Sequence, residues 1–235
     1  MQDVSDTWTE LNSFMVTHNW WHVALFSIEL GRDAEALALY DEQVWGVVKE
    51  YSQDQIGAVS LLARFELAGI DVGDRWKDVA DHLVHRLGDH VLPFLDLQYL
   101  YGLARAGRPE AETLLQNIEA FAERAPASAR SAWQRVAVPA ARGVLAHARG
   151  DFAAAIEGLG LALPRLIEIG GSHAQRDLFE QIHLDALIRN GTPTSLAGAQ
   201  GLLQRQLNGQ PESRRLRRQT NAVYAALGLP DTRGD

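Results

Sequence analysis

The sequence predicts an all-α protein built from about five helical hairpins stacked side by side, with one leading and one closing helix. The first observation is that apolar residues recur at steps of three and four along most of the chain, which is the period of one helix face. The second is that a glycine followed by a fresh helical pattern recurs at Gly31, Gly69, Gly107, Gly150 and Gly191, at spacings of 38, 38, 43 and 41 residues. The third is that no segment shows the alternation typical of a strand. A single domain over residues 1–228 is expected, followed by a flexible tail at 229–235.

The first hairpin spans residues 17–48, and its turn is placed at Gly31, because a helix C-terminus favours a residue that tolerates left-handed backbone. A short leading helix is expected before it, at residues 1–16, with Thr7 and Glu10 in the spacing of a capping box. The second hairpin pairs residues 54–69 with 75–87. All of these segments carry an apolar stripe that a single hairpin cannot bury alone.

Prolines mark the boundaries of the later hairpins. Pro93 and Pro109 are acceptable only in a first helical turn, so each is expected to open a helix of the third hairpin. The fourth hairpin runs through residues 131–150 into a helix that Pro164 should kink or end. The fifth pairs residues 173–191 with 195–209, and residues 212–227 form the closing helix.

Composition narrows the classes of function. The 235 residues include no cysteine, carry a formal net charge of −8, and contain no apolar run long enough to span a bilayer. A soluble cytoplasmic protein is expected, with no membrane partner, no cofactor, no metal and no general affinity for nucleic acid. The basic run at residues 214–218 is interpreted as a solvated helix face, with an anion or nucleic-acid site as the alternative.

Several residues resemble the tetratricopeptide pattern when the turn glycines are aligned. They are Trp20, Ala36 and Tyr40 in the first hairpin and Gly143, Ala155 and Leu159 in the fourth. This resemblance implies a right-handed α-solenoid in which the first helix of each hairpin lines a concave side. The small residues of this pattern, Ala36, Gly143 and Ala155, are needed where the helices cross closely.

Longer segments resemble the tetratricopeptide repeat protein 38 family, namely residues 18–44, 74–79, 89–104 and 170–179. Family members are longer at the N-terminus, so the chain resembles their C-terminal half. The resemblance implies that repeats which would cover Trp8, Trp20 and Trp45 are absent. Exposed aromatic area of that kind usually finds a partner, so we expect a homodimer or a complex with a chain that supplies the missing half.

One candidate site is the histidine pair His18 and His22, whose four-residue step places both imidazoles on one helix face. The zinc-protease pattern requires a glutamate directly after the first histidine, and Asn19 stands there. A metal of another kind would need a third ligand that the sequence does not identify. The alternative is that His18 caps the helix start and His22 packs beside the tryptophans.

A second candidate is the segment at residues 170–177, in which Ser172 and Gln175 have capping-box spacing. Two glycines would let an anion approach the amides of the helix N-terminus, with Arg176 nearby. The alternative is an ordinary well-capped helix. No nucleophile triad, phosphate-binding loop or dinucleotide motif is present.

The favoured function is a binding or scaffold module whose largely apolar concave groove accepts a peptide segment or a hydrophobic small molecule. Counting back from each turn glycine predicts the groove lining, which includes His18, Trp21, Leu25, Phe94 and Tyr101. The alternative for these positions is that they are core, buried by the curvature of the stack. The rival function is a small-molecule site or enzyme on the polar edge formed by the N-termini of the inner helices.

That polar edge would carry His18, His22, Asp54, His90 and Asp96. In the enzyme hypothesis His22 or His90 is a general acid or base, and Asp54, Asp96 or Asp177 orients the imidazole while Arg176 holds an anionic group. The hypothesis requires a carboxylate within hydrogen-bonding distance of one histidine and an enclosed cavity beside it.

Overall fold

The computed structural model describes residues 2–8 and 11–229, and within these ranges the regular structure is entirely helical, with no strand. The all-α class is therefore confirmed. The α-helices of the described residues are α1 (Ser13–Glu29), α2 (Asp33–Leu39), α3 (Ser52–Leu67), α4 (Arg75–Leu83), α5 (Pro93–Arg105), α6 (Glu110–Arg124), α7 (Arg130–Ala132), α8 (Val138–Ala148), α9 (Phe152–Ala162), α10 (His173–Asn190), α11 (Pro193–Gly209) and α12 (Arg214–Ala226). Short 3-10 segments lie at Gln2–Trp8, Val84–Arg86 and Leu163–Ile169, and π-helical turns lie at Tyr40–Val44 and Trp133–Ala137. None of the helices in the described ranges combines the length and apolarity needed to cross a bilayer.

The predicted turn positions are confirmed. Each of the five glycines follows the first helix of a pair and has a positive φ, between 66° at Gly191 and 84° at Gly69. A side chain at these positions would strain the backbone, whereas glycine adopts the left-handed conformation freely. The helix pairs joined in this way are α1–α2, α3–α4, α5–α6, α8–α9 and α10–α11.

The beginning of the chain differs from the expected leading helix over residues 1–16. Asn12 caps α1 through its side-chain oxygen, which accepts from the Met15 amide at 2.9 Å, so the first hairpin helix begins at Ser13. Among the described residues ahead of it, the regular structure is a 3-10 segment at Gln2–Trp8. Glu10 of the expected capping box and residues 230–235 of the expected tail lie outside the described residues.

The proline predictions are confirmed, and one proline has an effect that was not anticipated. Pro93 opens α5, and α9 ends at Ala162, directly before the 3-10 segment that contains Pro164. Pro139 lies in the first turn of α8, immediately after the π-helical turn Trp133–Ala137. Because proline offers no amide to the carbonyl four residues earlier, the chain passes it by widening this turn.

The inner helices contact one another in sequence, and the last of them also returns to the second hairpin. The contacts run from α1 to α3, from α3 to α5, from α5 to α8 and from α8 to α10, and α10 packs against α3 as well. The buried Arg64 of α3 donates to the Ala174 carbonyl of α10 at 2.8 Å. At the other end of α1, Glu29 accepts from Ser213 and Arg215 at the start of α12. The chain therefore curls strongly enough to bring the fifth hairpin against the second and the start of the closing helix against the first.

Helices α8 and α9 cross at very short range. A Cβ built on Gly158 would lie 2.6 Å from the Pro139 carbonyl oxygen and 2.9 Å from the Gly143 Cα. A Cβ on Gly143 would lie 2.8 Å from the Leu159 amide nitrogen. These distances confirm that residue 143 must be small for α8 and α9 to pack.

The expected exposure of three tryptophans is wrong for two of them. Trp8 is 8% exposed and packs edge to face on the half-buried Trp20, with ring centroids 5.0 Å apart. Trp45 is 4% exposed, and its indole nitrogen donates to Asp78 at 2.6 Å. The homodimer or complex was predicted because these tryptophans were expected to be exposed. Since Trp8 and Trp45 are buried within the chain, their exposure no longer supports that prediction.

Candidate functional site

Three residues of the predicted concave groove lie in the hydrophobic core. Trp21, Phe94 and Tyr101 are 2%, 3% and 2% exposed. Phe94 packs on Phe179 of α10, and Tyr101 packs on Trp76 of α4. Because neighbouring helices cover them, these three side chains do not line an open groove.

His90 and Asp96, both predicted as acid–base residues, form a buried pair. The His90 Nδ1 lies 2.6 Å from the Asp96 Oδ2, and the two side chains are 6% and 1% exposed. The imidazole also stacks on Phe121, with centroids 4.9 Å apart. His90 has a left-handed backbone, with φ 44°, which costs about 1 kcal/mol for a residue with a Cβ. The pair fixes the turn before α5.

His18 and His22 contact each other. Their Nε2 atoms are 3.2 Å apart, so one ring donates and the other accepts. Burial lowers the pKa of both imidazoles, and the charge of His22 lowers the pKa of His18 further. Both rings are therefore neutral near pH 7. The described residues contain no group of three or more potential metal ligands around them or elsewhere.

The strongest candidate site is a cavity at the edge where the N-termini of α1, α3, α5 and α10 come together, here called the edge cavity. The inner part of this cavity, here called its floor, has a volume of about 20 Å³ and can hold one or two water molecules. The floor is lined by Phe14, Thr17, His18, Trp21, Val44, Gln53, Asp54, Ile56, Gly57, Ser60, Phe94, Gln98 and Gln175. His18 and Asp54 were placed on this polar edge from the sequence.

A wider cavity of about 440 Å³, here called the mouth, lies next to the floor. Floor and mouth share five wall residues, which are Phe14, Gln53, Ile56, Phe94 and Gln175. The rim is apolar on one side, where Val91 is 69% exposed and Leu92 is 45% exposed. On the other side Arg86 and Asp89 pair at 3.3 Å, so the mouth carries no net charge.

Three side chains that line the floor carry polar atoms without a hydrogen-bond partner. Asp54 and Gln98 are each 1% exposed, yet the Asp54 Oδ2 and both amide atoms of Gln98 have no hydrogen-bond partner. The indole nitrogen of Trp21 also has none. Buried polar atoms are nearly always paired with protein or with ordered water, so these four atoms beside one small cavity indicate a place for a water molecule or another bound group. Single unpartnered atoms also lie elsewhere in the described residues, for example on Tyr40 and Trp76.

The electrostatics of the floor are set by Asp54. Its Oδ1 accepts from the Thr17 hydroxyl at 2.7 Å, which leaves the buried Oδ2 without a hydrogen-bond partner. Burial raises the pKa of the Asp54 carboxyl, and the Thr17 bond opposes that rise. Asp54 lies in the first turn of α3, where the helix dipole also favours the ionised form.

The predicted anion site at residues 170–177 is an ordinary capped helix. Ser172 and Gln175 form the predicted capping box. The Arg176 guanidinium donates to the Gly170 and Gly171 carbonyl oxygens. Asp177 pairs with the buried Arg64 at 3.6 Å. These groups satisfy one another within the fold.

A second cavity, of about 320 Å³, lies between α1, α3, α10 and the start of α12. Its walls combine apolar side chains of α1 with charged groups and include Leu25, Phe26, Arg64, Asp177 and Arg215. Phe26 is 54% exposed. Leu25 and Asp177 are the predicted site residues that lie here.

A third cavity, of about 330 Å³, lies between α9, α10 and α11 and is lined by Gly160, Leu163, Pro164, Glu180, His183, Leu184, Leu202 and Gln206. His22 and His90 line none of the cavities described here. The enzyme hypothesis required a histidine with both a carboxylate and a cavity. His90 has the carboxylate without the cavity, and His22 has neither.

The sequence reasoning missed Gln98 and a buried chain of three polar residues. Gln98 interrupts the apolar run of α5, and a polar residue inside such a run was a signal that could have been followed. The Tyr101 hydroxyl lies 3.2 Å from the His147 Nδ1, and the His147 Nε2 lies 2.8 Å from the Asp185 Oδ2. These three residues come from α5, α8 and α10 and tie those helices together.

The edge cavity thus stands on its own geometry. It joins residues from four helices that are far apart in the sequence, and three of its lining residues, Trp21, Asp54 and Gln98, carry unpartnered polar atoms. Comparison with known proteins adds no assignment, because no family model matches the sequence and no solved structure matches the fold.

Proposed function

We propose that the protein binds a small organic molecule in the edge cavity. The polar head of the ligand lies on the floor beside Asp54 and Gln98, and its apolar body lies in the mouth against Phe94 and Leu92. The observation that carries the proposal is the convergence of unpartnered buried atoms of Asp54, Gln98 and Trp21 on one cavity that opens to the surface.

The energetic argument rests on those atoms. Each buried polar atom without a partner costs about 1–3 kcal/mol. A head group that donates to the Asp54 Oδ2 and the Gln98 Oε1, and accepts from the Trp21 Nε1 and the Gln98 Nε2, recovers that cost. One ordered water has the same capacity for hydrogen bonds, so a ligand needs a further source of affinity. The apolar wall of the mouth supplies it, at about 25 cal/mol for each Å² removed from water.

Two buried glutamines provide a matched test. Gln98 has no partner for its amide, whereas Gln55 donates to the Lys49 carbonyl at 2.9 Å and accepts from Arg86 at 3.0 Å. Gln98→Leu removes polar atoms that have no partner within the protein, so this variant should be as stable as the unmodified protein or more stable. Gln55→Leu breaks two existing bonds and should lose about 2 kcal/mol.

Binding is measured by calorimetry with hexane-1,2-diol, whose head both donates and accepts and whose chain fits an apolar mouth. The unmodified protein should bind the diol, and Gln98→Leu should not. Leu92→Asp should weaken binding by placing a charge in the mouth, and Val47→Asp, at a similarly exposed position away from the cavities, should leave it unchanged. The proposal fails if Gln98→Leu loses stability as Gln55→Leu does, or if Leu92→Asp and Val47→Asp bind equally.

A second candidate function keeps the predicted peptide-binding role and moves it to the second cavity. The observation in its favour is the exposed Phe26, which stands beside Leu25 above a floor that contains Arg64 and Asp177. A photo-reactive side chain at position 26 should cross-link one discrete polypeptide in a cell extract. The same group at Leu161, which is 65% exposed on α9, serves as the control. Equal cross-linking at both positions would discard this candidate.

We further propose that the hairpins form a right-handed stack of tetratricopeptide type and that the protein acts in the cytoplasm, as the sequence resemblance and composition suggest. The resemblance to the tetratricopeptide repeat protein 38 family supports the first proposal. An experimental structure tests the handedness of the stack, fractionation tests the compartment, and sedimentation tests the predicted homodimer or complex.

A further inference from the structure

We infer that the head group of the ligand is a protonated amine next to an oxygen atom, as in a 2-amino alcohol with an apolar body. This inference rests on the proposed function of the edge cavity and identifies the chemical class that the floor selects. It stands on three observations, which concern the charge of the floor, its aromatic walls and the count of its hydrogen-bond donors and acceptors.

The floor has one formal charge, and that charge is negative. Of the residues that line it, Asp54 is the acid, His18 is neutral near pH 7, and neither lysine nor arginine is present. Arg64 of α3 lies behind the floor residues Ser60 and Trp21, donating to Ser60 and standing 5.6 Å from the Trp21 ring centroid. Its charge is paired with Asp177 at 3.6 Å, and it lines the second cavity. A buried carboxylate without a cationic partner is expensive, and a bound cation is the group that compensates it.

The walls also favour a cation. Phe14, Trp21 and Phe94 line the floor, and an aromatic ring attracts a positive charge to its face. The Trp21 ring already has the Arg64 guanidinium 5.6 Å from its centroid and stacks on His18, so Phe14 and Phe94 are the rings left for a bound cation. Because the floor holds only one or two water-sized groups, a primary ammonium fits and a quaternary ammonium does not.

The unpartnered donors and acceptors of the floor indicate that the ligand also carries an oxygen next to the amine. The Asp54 Oδ2 and the Gln98 Oε1 accept, and an ammonium donates to both. The Trp21 Nε1 and the Gln98 Nε2 donate, and an ammonium cannot accept from them. An oxygen on the neighbouring carbon of the ligand serves these two donors, so an amino alcohol satisfies all four atoms.

The converging helix N-termini are the feature that argues for an anion instead. Their amides carry partial positive charge, which favours an anionic group close to them. In α3 that place is already taken by Asp54, a first-turn carboxylate of this helix. In α10 the capping box of Ser172 and Gln175 occupies the helix start. The field of these termini therefore stabilises the Asp54 charge and leaves the cavity selective for a cation.

The test uses three probes of similar shape and different charge, namely 1-aminohexan-2-ol, hexane-1,2-diol and 2-hydroxyhexanoate. Calorimetry at pH 7.5 on the unmodified protein should rank the amino alcohol first, on the order of tenfold or more tighter than the diol, with no binding of the hydroxy acid. This ranking decides the inference without any variant.

A variant then assigns the selectivity to its residue. Asp54→Asn keeps an oxygen for the Thr17 hydroxyl and removes the charge, so the amino alcohol should fall to the affinity of the diol. Diol binding in this variant shows that the site is still folded. Asp81→Asn, which removes an exposed carboxylate remote from the edge cavity, should leave all three affinities unchanged.

Each outcome separates the inference from the proposed function. If the diol binds as tightly as the amino alcohol, or the hydroxy acid binds tightest, the inferred charge is wrong and the cavity remains a ligand site. If none of the probes binds, and Gln98→Leu is no more stable than Gln55→Leu, the floor is an internal water site and both proposals fail. Retention of amine selectivity in Asp54→Asn would also overturn the inference.

Discussion

Two glycines in α9, only two residues apart, should respond in opposite ways to the same substitution. In the interior of a helix, alanine is favoured over glycine by about 1 kcal/mol. At Gly160 the added methyl would meet only the His183 Nε2, at 3.8 Å, so Gly160→Ala should gain most of that amount. At Gly158 the methyl would lie 2.6 Å from the Pro139 carbonyl oxygen and 2.8 Å from the Gly143 amide nitrogen.

The contacts at Gly158 are with backbone of the facing helix, which cannot rotate away as a side chain could. Forcing a methyl group into a packed interface costs about 1–3 kcal/mol, and backbone contacts below 3 Å place this site at the upper end. After subtracting the helix preference, Gly158→Ala should destabilise the protein by about 2 kcal/mol. For a chain of this size that corresponds to a fall in melting temperature of about 4–8 °C.

Urea unfolding followed by circular dichroism measures both variants on one scale. Gly158→Ala should lower the urea midpoint relative to the unmodified protein, and Gly160→Ala should raise it slightly. The description of the α8–α9 crossing is refuted if Gly158→Ala unfolds at the same or a higher urea concentration than Gly160→Ala. A changed slope would mean that the variant altered the unfolded or folded ensemble, and the comparison would then use calorimetric melting instead.

Three further predictions concern the histidine pair, the buried hydroxyl and the helix cap. Since the folded pKa values of His18 and His22 are lowered, the unfolded chain binds more protons, and the free energy of unfolding should fall as pH drops below about 6.5. Replacing both by glutamine should flatten that fall in pH-dependent melts. Tyr101→Phe removes a buried hydrogen bond to His147 and should cost about 1 kcal/mol in urea unfolding, without a change in slope. Ser172→Ala removes the cap of α10 and should cost about 1 kcal/mol, whereas Ser172→Gly should cost a few tenths, as measured by the same method.

The helix boundaries were largely predictable because they depend on local chemistry. A left-handed turn residue and a proline in a first helical turn act through their own backbone, and the sequence displays both directly. Gly31, Gly107 and Pro93 all fall where those rules place them. The π-helical turn before Pro139 was not predicted, because the same proline is compatible with a kink, a break or a widened turn.

The candidate site was predictable only in part. Counting back from the turn glycines predicted that Trp21, Phe94 and Tyr101 line a groove, with core as the alternative, and all three are buried. Whether such a helix face is a groove or a core depends on how far the chain of hairpins curls. Curl is the sum of crossing angles between helices, and small differences in side-chain volume set each angle. Asp54 was placed on the polar edge from the sequence, whereas the role of Gln98 depends on which atoms of other helices fail to reach it.

The contact of α10 with α3 has a consequence for how the chain folds and unfolds. In an open repeat array each hairpin contacts only its neighbours, so terminal repeats can fray while the rest persists. Here Arg64 and Ala174 are joined across 110 positions of sequence, and Ser213 is joined to Glu29 across 184. Contacts of such long separation form late and slow the folding reaction. They also couple the two ends of the chain, so partial unfolding from the C-terminus would uncover α3 and with it the floor where Asp54 lies.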